Sequence, residues 1–99
     1  MIVRVYPQVG RGTWVGLGAD ATAADKFVVR LVGTDGIPLA TALTVTGDGT
    51  NHLPHWQSLA YAIPQTFAGQ DVAMELMAVD AGADSTVEAG VDEVRVTAP

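Results

Sequence analysis

Hydrophobic residues recur every second position along most of this chain, and no segment keeps helical spacing over a useful length. In residues 2–6, Val3 and Val5 fall on one side and Arg4 and Tyr6 on the other, which predicts a first strand that Pro7 ends or marks as an edge. Residues 13–17 predict a short strand bracketed by glycines, and 19–25 a loop or at most one helical turn. Residues 26–32 predict a clear strand, with Phe27, Val29 and Leu31 facing one way and Lys26, Val28, Arg30 and Val32 the other. Thr34-Asp35-Gly36 is a hairpin-type turn, and residues 39–46 follow with Leu39, Leu43 and Val45 in phase. Residues 47–55 are the longest non-periodic stretch and predict a surface loop, the usual seat of binding residues. Residues 56–63 predict a strand ended by Pro64. In residues 71–80, Val72, Met74, Leu76 and Ala78 alternate with Ala73, Glu75, Met77 and Val79; both sets are rather apolar, which predicts a central strand or one covered on both sides. Residues 87–97 close the chain as a last strand. About seven or eight antiparallel strands at short, even spacing predict an all-β sandwich, one domain over residues 1–99.

Composition narrows the function. Fourteen valines and 15 alanines stand against only six aromatics, and valine favours pleated, half-buried surfaces. Hydrophobic residues make up 48% and charged ones 16%, so in a sandwich this small some apolar surface is expected outside the core, covered by self-association or by a parent protein. The net charge of −6, with one lysine and four scattered arginines, excludes a nucleic-acid binder, which needs clustered cations to replace counterions. No apolar run reaches the roughly 18 residues of a membrane helix, and no basic-then-apolar stretch opens the sequence. The absence of cysteine excludes disulfides and thiolate metal sites.

The closing stretch Val79-Asp80-Ala81-Gly82-Ala83-Asp84-Ser85-Thr86-Val87-Glu88-Ala89-Gly90-Val91-Asp92-Glu93-Val94-Arg95-Val96 ends one apolar strand in an aspartate, turns, and begins another. It resembles the last hairpin of the jelly-roll, galactose-binding-like β-sandwich domains appended to many secreted bacterial enzymes. The segment from Trp56 to Val72 resembles them too: a tryptophan-led strand, a short piece ending Ala68-Gly69-Gln70, then a valine-led strand. The likeness covers about residues 26 to 97. It implies a jelly-roll-like, extracellular accessory domain that binds or scaffolds and does not catalyse, with a glycan as ligand in the manner of carbohydrate-binding modules. Family domains usually run longer, with extra strands before the point where this chain starts. The amino-terminal third carries no familial phrase.

Asp92 is in phase with Val94 and Val96, so alternation aims it inward, and a buried carboxylate needs a partner or a cation. Many domains of this fold hold a structural calcium near the last strand. Carried over, that implies Asp92 or Glu93 as ligand, joined by Asp80 and Glu88, with loop carbonyls completing six to eight oxygens. The plain alternative is an aspartate capping backbone N–H groups at a bulge. Asp48-Gly49-Thr50-Asn51 lacks the alternating acids and terminal glutamate of an EF-hand. Trp56 reads as a core residue, with a stacking platform for a sugar ring as the alternative. Trp14, beside Arg11, Gly12, Thr13 and Gly16, is more open to the surface, where an indole can hold the apolar face of a sugar ring.

His52 and His55, three apart, can bind a transition metal or a ligand, or simply be solvated. No nucleophile-elbow sequence surrounds Ser58 or Ser85, and neither Gly10-Arg11-Gly12 nor Gly16-Leu17-Gly18 precedes a helix that would cradle phosphate. The expected function is therefore a non-catalytic binding module for a glycan, with contacts from Trp14, Asn51, His52, His55 and Tyr61. The alternative is a structural unit that oligomerises, or joins a parent multidomain protein, through apolar faces and sheet edges.

Overall fold

A computed structural model describes residues 2–5, 12–81, 85–92 and 94–97. The strands are β1 Ile2–Val5, β2 Gly12–Leu17, β3 Lys26–Gly33, β4 Pro38–Thr46, β5 His52–Gln57, β6 Leu59–Ala62, β7 Val72–Val79, β8 Val87–Asp92 and β9 Arg95–Thr97, with one short 3-10 turn at Gln65–Phe67. The fold is all-β and every pairing is antiparallel. No helix among the described residues is long and apolar enough to cross a membrane.

The strands form the groups β6-β1-β9, β5-β2-β8 and β4-β3-β7. In the first two, β5 runs into β6 past Ser58, β8 precedes β9, and β1 and β2 are the middle strands. These two groups lie on one side of the molecule and the short layer β4-β3-β7 on the other. Thr13 and Val15 of β2 line one cleft together with Leu43 and Val45 of β4. Leu31 and Met74 of the short layer line another with Ile63 and Val96. Side chains of the two layers therefore look at each other, as in a sandwich. The short axis of 15 Å in Cα positions accommodates two sheets stacked about 10 Å apart.

The core is built on β3. Phe27, Val29 and Leu31 are at most 3% exposed on its inner side, and Val28 and Val32 only 6% and 7% on its outer side. On that outer side Arg30 stands directly opposite Glu75 of β7, and the two form an ion pair at 2.6 Å. β3 is thus the central strand of its layer. For residues 71–80, expected to be a central strand or one covered on both sides, the central position is corrected: β7 pairs only with β3 among the described residues, and its Leu76 is 40% exposed. Two apolar faces show that a strand lies beside covered neighbours. They do not show that it hydrogen-bonds on both edges.

The expected loop at 47–55 is also corrected, because β5 already begins at His52. A register shift between Val15 and Leu17 inserts an extra residue into β5, and that bulge breaks the alternation by which a strand is read. Pro54 lies within this strand and packs against Gly16, where an added Cβ would sit 2.7 Å from the proline ring. Proline is tolerated because β5 is an edge strand pairing only with β2 among the described residues.

At one end of the molecule, Asp25 joins three connections. Its side chain is fully buried. One carboxylate oxygen accepts the Thr22 N–H at 2.9 Å, and the other accepts the Ala81 N–H at 2.8 Å and the Ser85 hydroxyl at 3.1 Å. Its backbone carbonyl accepts the Gly47 N–H at 2.9 Å. The links β2–β3, β4–β5 and β7–β8 are therefore tied at a single residue, the last one before β3.

Candidate functional site

The outer face of β5-β2-β8 carries the aromatic residues. Thr13, Val15 and Leu17 of β2 turn inward, so Trp14 turns out. Its register partners are Trp56 on β5 and Gly90 on β8. The two indoles lie with centroids 6.5 Å apart and planes tilted by 39°, within the range of favourable aromatic pairs. Both are half-buried. On the other flank of Trp14 an added Cβ at Gly90 would meet nothing within 4 Å, so the sheet there is bare. Glu88 and Asp92 share that side of β8, are exposed, and stand about 13 Å apart along the strand with Gly90 midway. Two tilted indoles thus border an open floor with a carboxylate toward either end.

Two expectations are corrected here. Trp56 is not a core residue; it sits on the outer face as Trp14's partner. Asp92 does not point inward; it is opposite Gly12 on the outer face and exposed. Its phase was read from Val94 and Val96, but β8 ends at Asp92 and β9 starts only at Arg95, so alternation is not carried across the break.

The two histidines lie elsewhere, on the inner side of the same layer. His52 and His55 line a cleft of about 300 Å³ that opens between the edge strands β4 and β5. Val15, Leu43 and Val45 contribute apolar lining; Thr46, Asp48 and Gln57 add polar groups. The bulge in β5 lets residues three apart reach one cleft, where strict alternation would send them to opposite faces. His52 Nε2 lies 2.9 and 3.0 Å from the two carboxylate oxygens of Asp48. The Thr50 N–H donates to the same carboxylate at 2.9 Å. These donors hold the Asp48 carboxyl below its ordinary value of 3.8, the Thr50 N–H contributing most and the His52 ring next. His55 Nδ1 is 3.2 Å from the Leu53 carbonyl, and its Nε2 is 2.7 Å from the Gln57 amide nitrogen. With Nδ1–H donating to the carbonyl, Nε2 accepts from the amide.

The expected ligand residues are therefore divided. Trp14 is on the outer face, His52 and His55 in the cleft, and Asn51 exposed in the connection just before β5. Tyr61 is half-buried on β6, opposite Val3 of β1. The acidic residues are divided too. Asp80 accepts the Ser85 hydroxyl at 2.5 Å beside Asp25, whereas Glu88 and Asp92 lie on the outer face. Glu93 lies outside the described residues. Among the described residues no group of three or more histidines and acids is gathered to hold a metal ion. Sequence reasoning put Trp56 in a site only as the alternative, and did not find Gly90 or Asp48 as parts of one. Strand register brings the first two to Trp14, and only the bulge sets Asp48 and both histidines around one cleft. The chain matches no protein-family model, no curated protein and no solved structure.

Proposed function

We propose that this chain is a non-catalytic, jelly-roll-like accessory module that binds carbohydrate on the Trp14–Trp56 face. The observation that carries this reading is the tilted indole pair beside the bare backbone at Gly90. An indole face packs against the apolar C–H face of a pyranose, and flanking acceptors take its hydroxyls. Glu88 and Asp92 stand on the same face as such acceptors. The floor at Gly90 leaves a ring room to approach Trp14 from the β8 side. The resemblance to domains appended to secreted enzymes supports an extracellular setting and a role in holding an enzyme to its glycan.

Titration of neutral and acidic oligosaccharides, followed by tryptophan fluorescence and calorimetry, tests this reading. Binding with a dissociation constant of about 1 mM or tighter is expected. Trp14→Ala is expected to abolish it. Gly90→Leu is the sharper variant: an added Cβ there meets nothing within 4 Å, so the side chain starts in open space above the floor, and binding is expected to fall while the fold is kept. Unchanged affinity in Gly90→Leu, or no glycan bound by the native protein, overturns the assignment.

A second reading, a self-associating sandwich unit, draws on exposed apolar side chains at the edge strands. Leu76 on β7 is 40% exposed, Val96 on β9 is 54%, and Val94 between β8 and β9 is 40%. Pairing between copies at these edges would cover them. The two readings differ in whether the indole face stays open.

A further inference from the structure

We propose that the cleft between β4 and β5 is a second binding site, separate from the indole face, for an organic cation with an ammonium or guanidinium head on an aliphatic stem. In the neutral His52 tautomer that donates Nε2–H to the Asp48 carboxylate, the other ring nitrogen, Nδ1, is an acceptor. With the Gln57 amide nitrogen donating to His55, its oxygen is an acceptor too. Asp48 itself is a carboxylate kept in its charged form by the Thr50 N–H. The polar side of the cleft thus offers a carboxylate, an imine-type nitrogen and an amide oxygen, and no lysine or arginine is among its described lining residues. Such a set repels anions and favours a group made only of donors.

The remaining lining fixes the rest of the ligand. Val15, Leu43 and Val45 form an apolar surface on which methylene groups can lie while the head reaches the carboxylate. A volume of about 300 Å³ holds one such stem and its head. The whole-chain charge of −6 draws cations toward the molecule. A free amine and a lysine or arginine side chain on an extended peptide present this same chemistry.

NMR titration of the full chain with agmatine tests the site, with N-butylurea as the uncharged control and the peptide Ala-Ala-Arg-Ala-Ala as the second source. Agmatine is expected to move the resonances of His52 and Val45 and to leave the Trp14 indole unmoved. N-butylurea is expected to bind at least about tenfold more weakly. Asp48→Asn is expected to weaken agmatine by a similar factor, and Gln57→Lys, an exposed change on an edge strand, to abolish it. A peptide tighter than agmatine assigns the cation to a polypeptide, and equal affinities assign it to a free amine. Equal binding of agmatine and N-butylurea, or an unchanged affinity in Asp48→Asn, overturns the proposal. Neither result bears on glycan binding, because the indole face lies on the opposite side of the layer.

Discussion

Asp25 is the residue on which the fold leans most. Its carboxylate accepts from Thr22, Ala81 and Ser85 in a site closed to water. Asp25→Ala strands the Thr22 and Ala81 N–H groups at about 1–3 kcal/mol each, a loss of at least about 2 kcal/mol, while the Ser85 hydroxyl keeps Asp80 as its acceptor. For a domain of this size that lowers the melting midpoint by roughly 8 °C or more. A thermal melt that moves by less than roughly 4 °C would show that the connections hold themselves together. Asp48 makes a different prediction. Because the Thr50 N–H and the His52 ring favour its charged form, the folded pKa lies below 3.8, and the unfolded chain takes up the proton first. The resulting stability is present above the ordinary value and lost as pH falls through the lower folded one. Carboxyl-carbon NMR of the native protein should give a midpoint below 3.8 for Asp48. His52→Ala should raise that midpoint only part of the way, since the Thr50 N–H is the larger cause. A native midpoint at or above the ordinary value contradicts the geometry.

At the scale of elements, legibility in the sequence followed the regularity of pairing. β3 and β7 pair without interruption and were legible to within a residue or two; the extent of β4 was legible as well, although its pairing with β3 slips twice. Gly36, with φ of 80°, closes the β3–β4 hairpin where Thr34-Asp35-Gly36 predicts it. β5 was misread over His52 to His55 because its bulge replaces period two with an irregular step. At the same irregularity Gly16 lies close against Pro54. In Gly16→Ala the new methyl would lie 2.7 Å from the Pro54 ring and 2.9 Å from its nitrogen, so the strands must separate at a cost of about 1–3 kcal/mol. Adding Pro54→Ala should recover part of that loss in urea unfolding. No cost in the single variant would mean that the bulge yields easily, and the shape of the histidine cleft would then be soft.

At the scale of the whole molecule, an open indole face and exposed apolar edges compete to define the solution state. The carbohydrate-binding reading requires the indoles to be accessible, so sedimentation at micromolar concentration should give a monomer. An oligomer whose formation protects Trp14 and Trp56 from a fluorescence quencher would favour the self-associating unit. The calcium implied at Asp80, Glu88, Asp92 and Glu93 is read by melting. An ion held by the native state raises the midpoint and a chelator reverses it, while equal midpoints with and without chelator remove it.

The sequence by itself determined that this is a β protein, where most strands lie and how the residues of β3 divide between its two faces. Those properties depend on the spacing of neighbouring residues, and spacing is written along one chain. It also supplied the tryptophans, histidines and acids, but as separate residues. Only the tertiary structure decided that Trp14 meets Trp56 beside a bare Gly90, that Asp25 gathers three connections, and that two histidines share a cleft with Asp48. Cross-strand register and a bulge set these meetings, and both arise from pairing between segments distant in the chain, which local alternation does not encode.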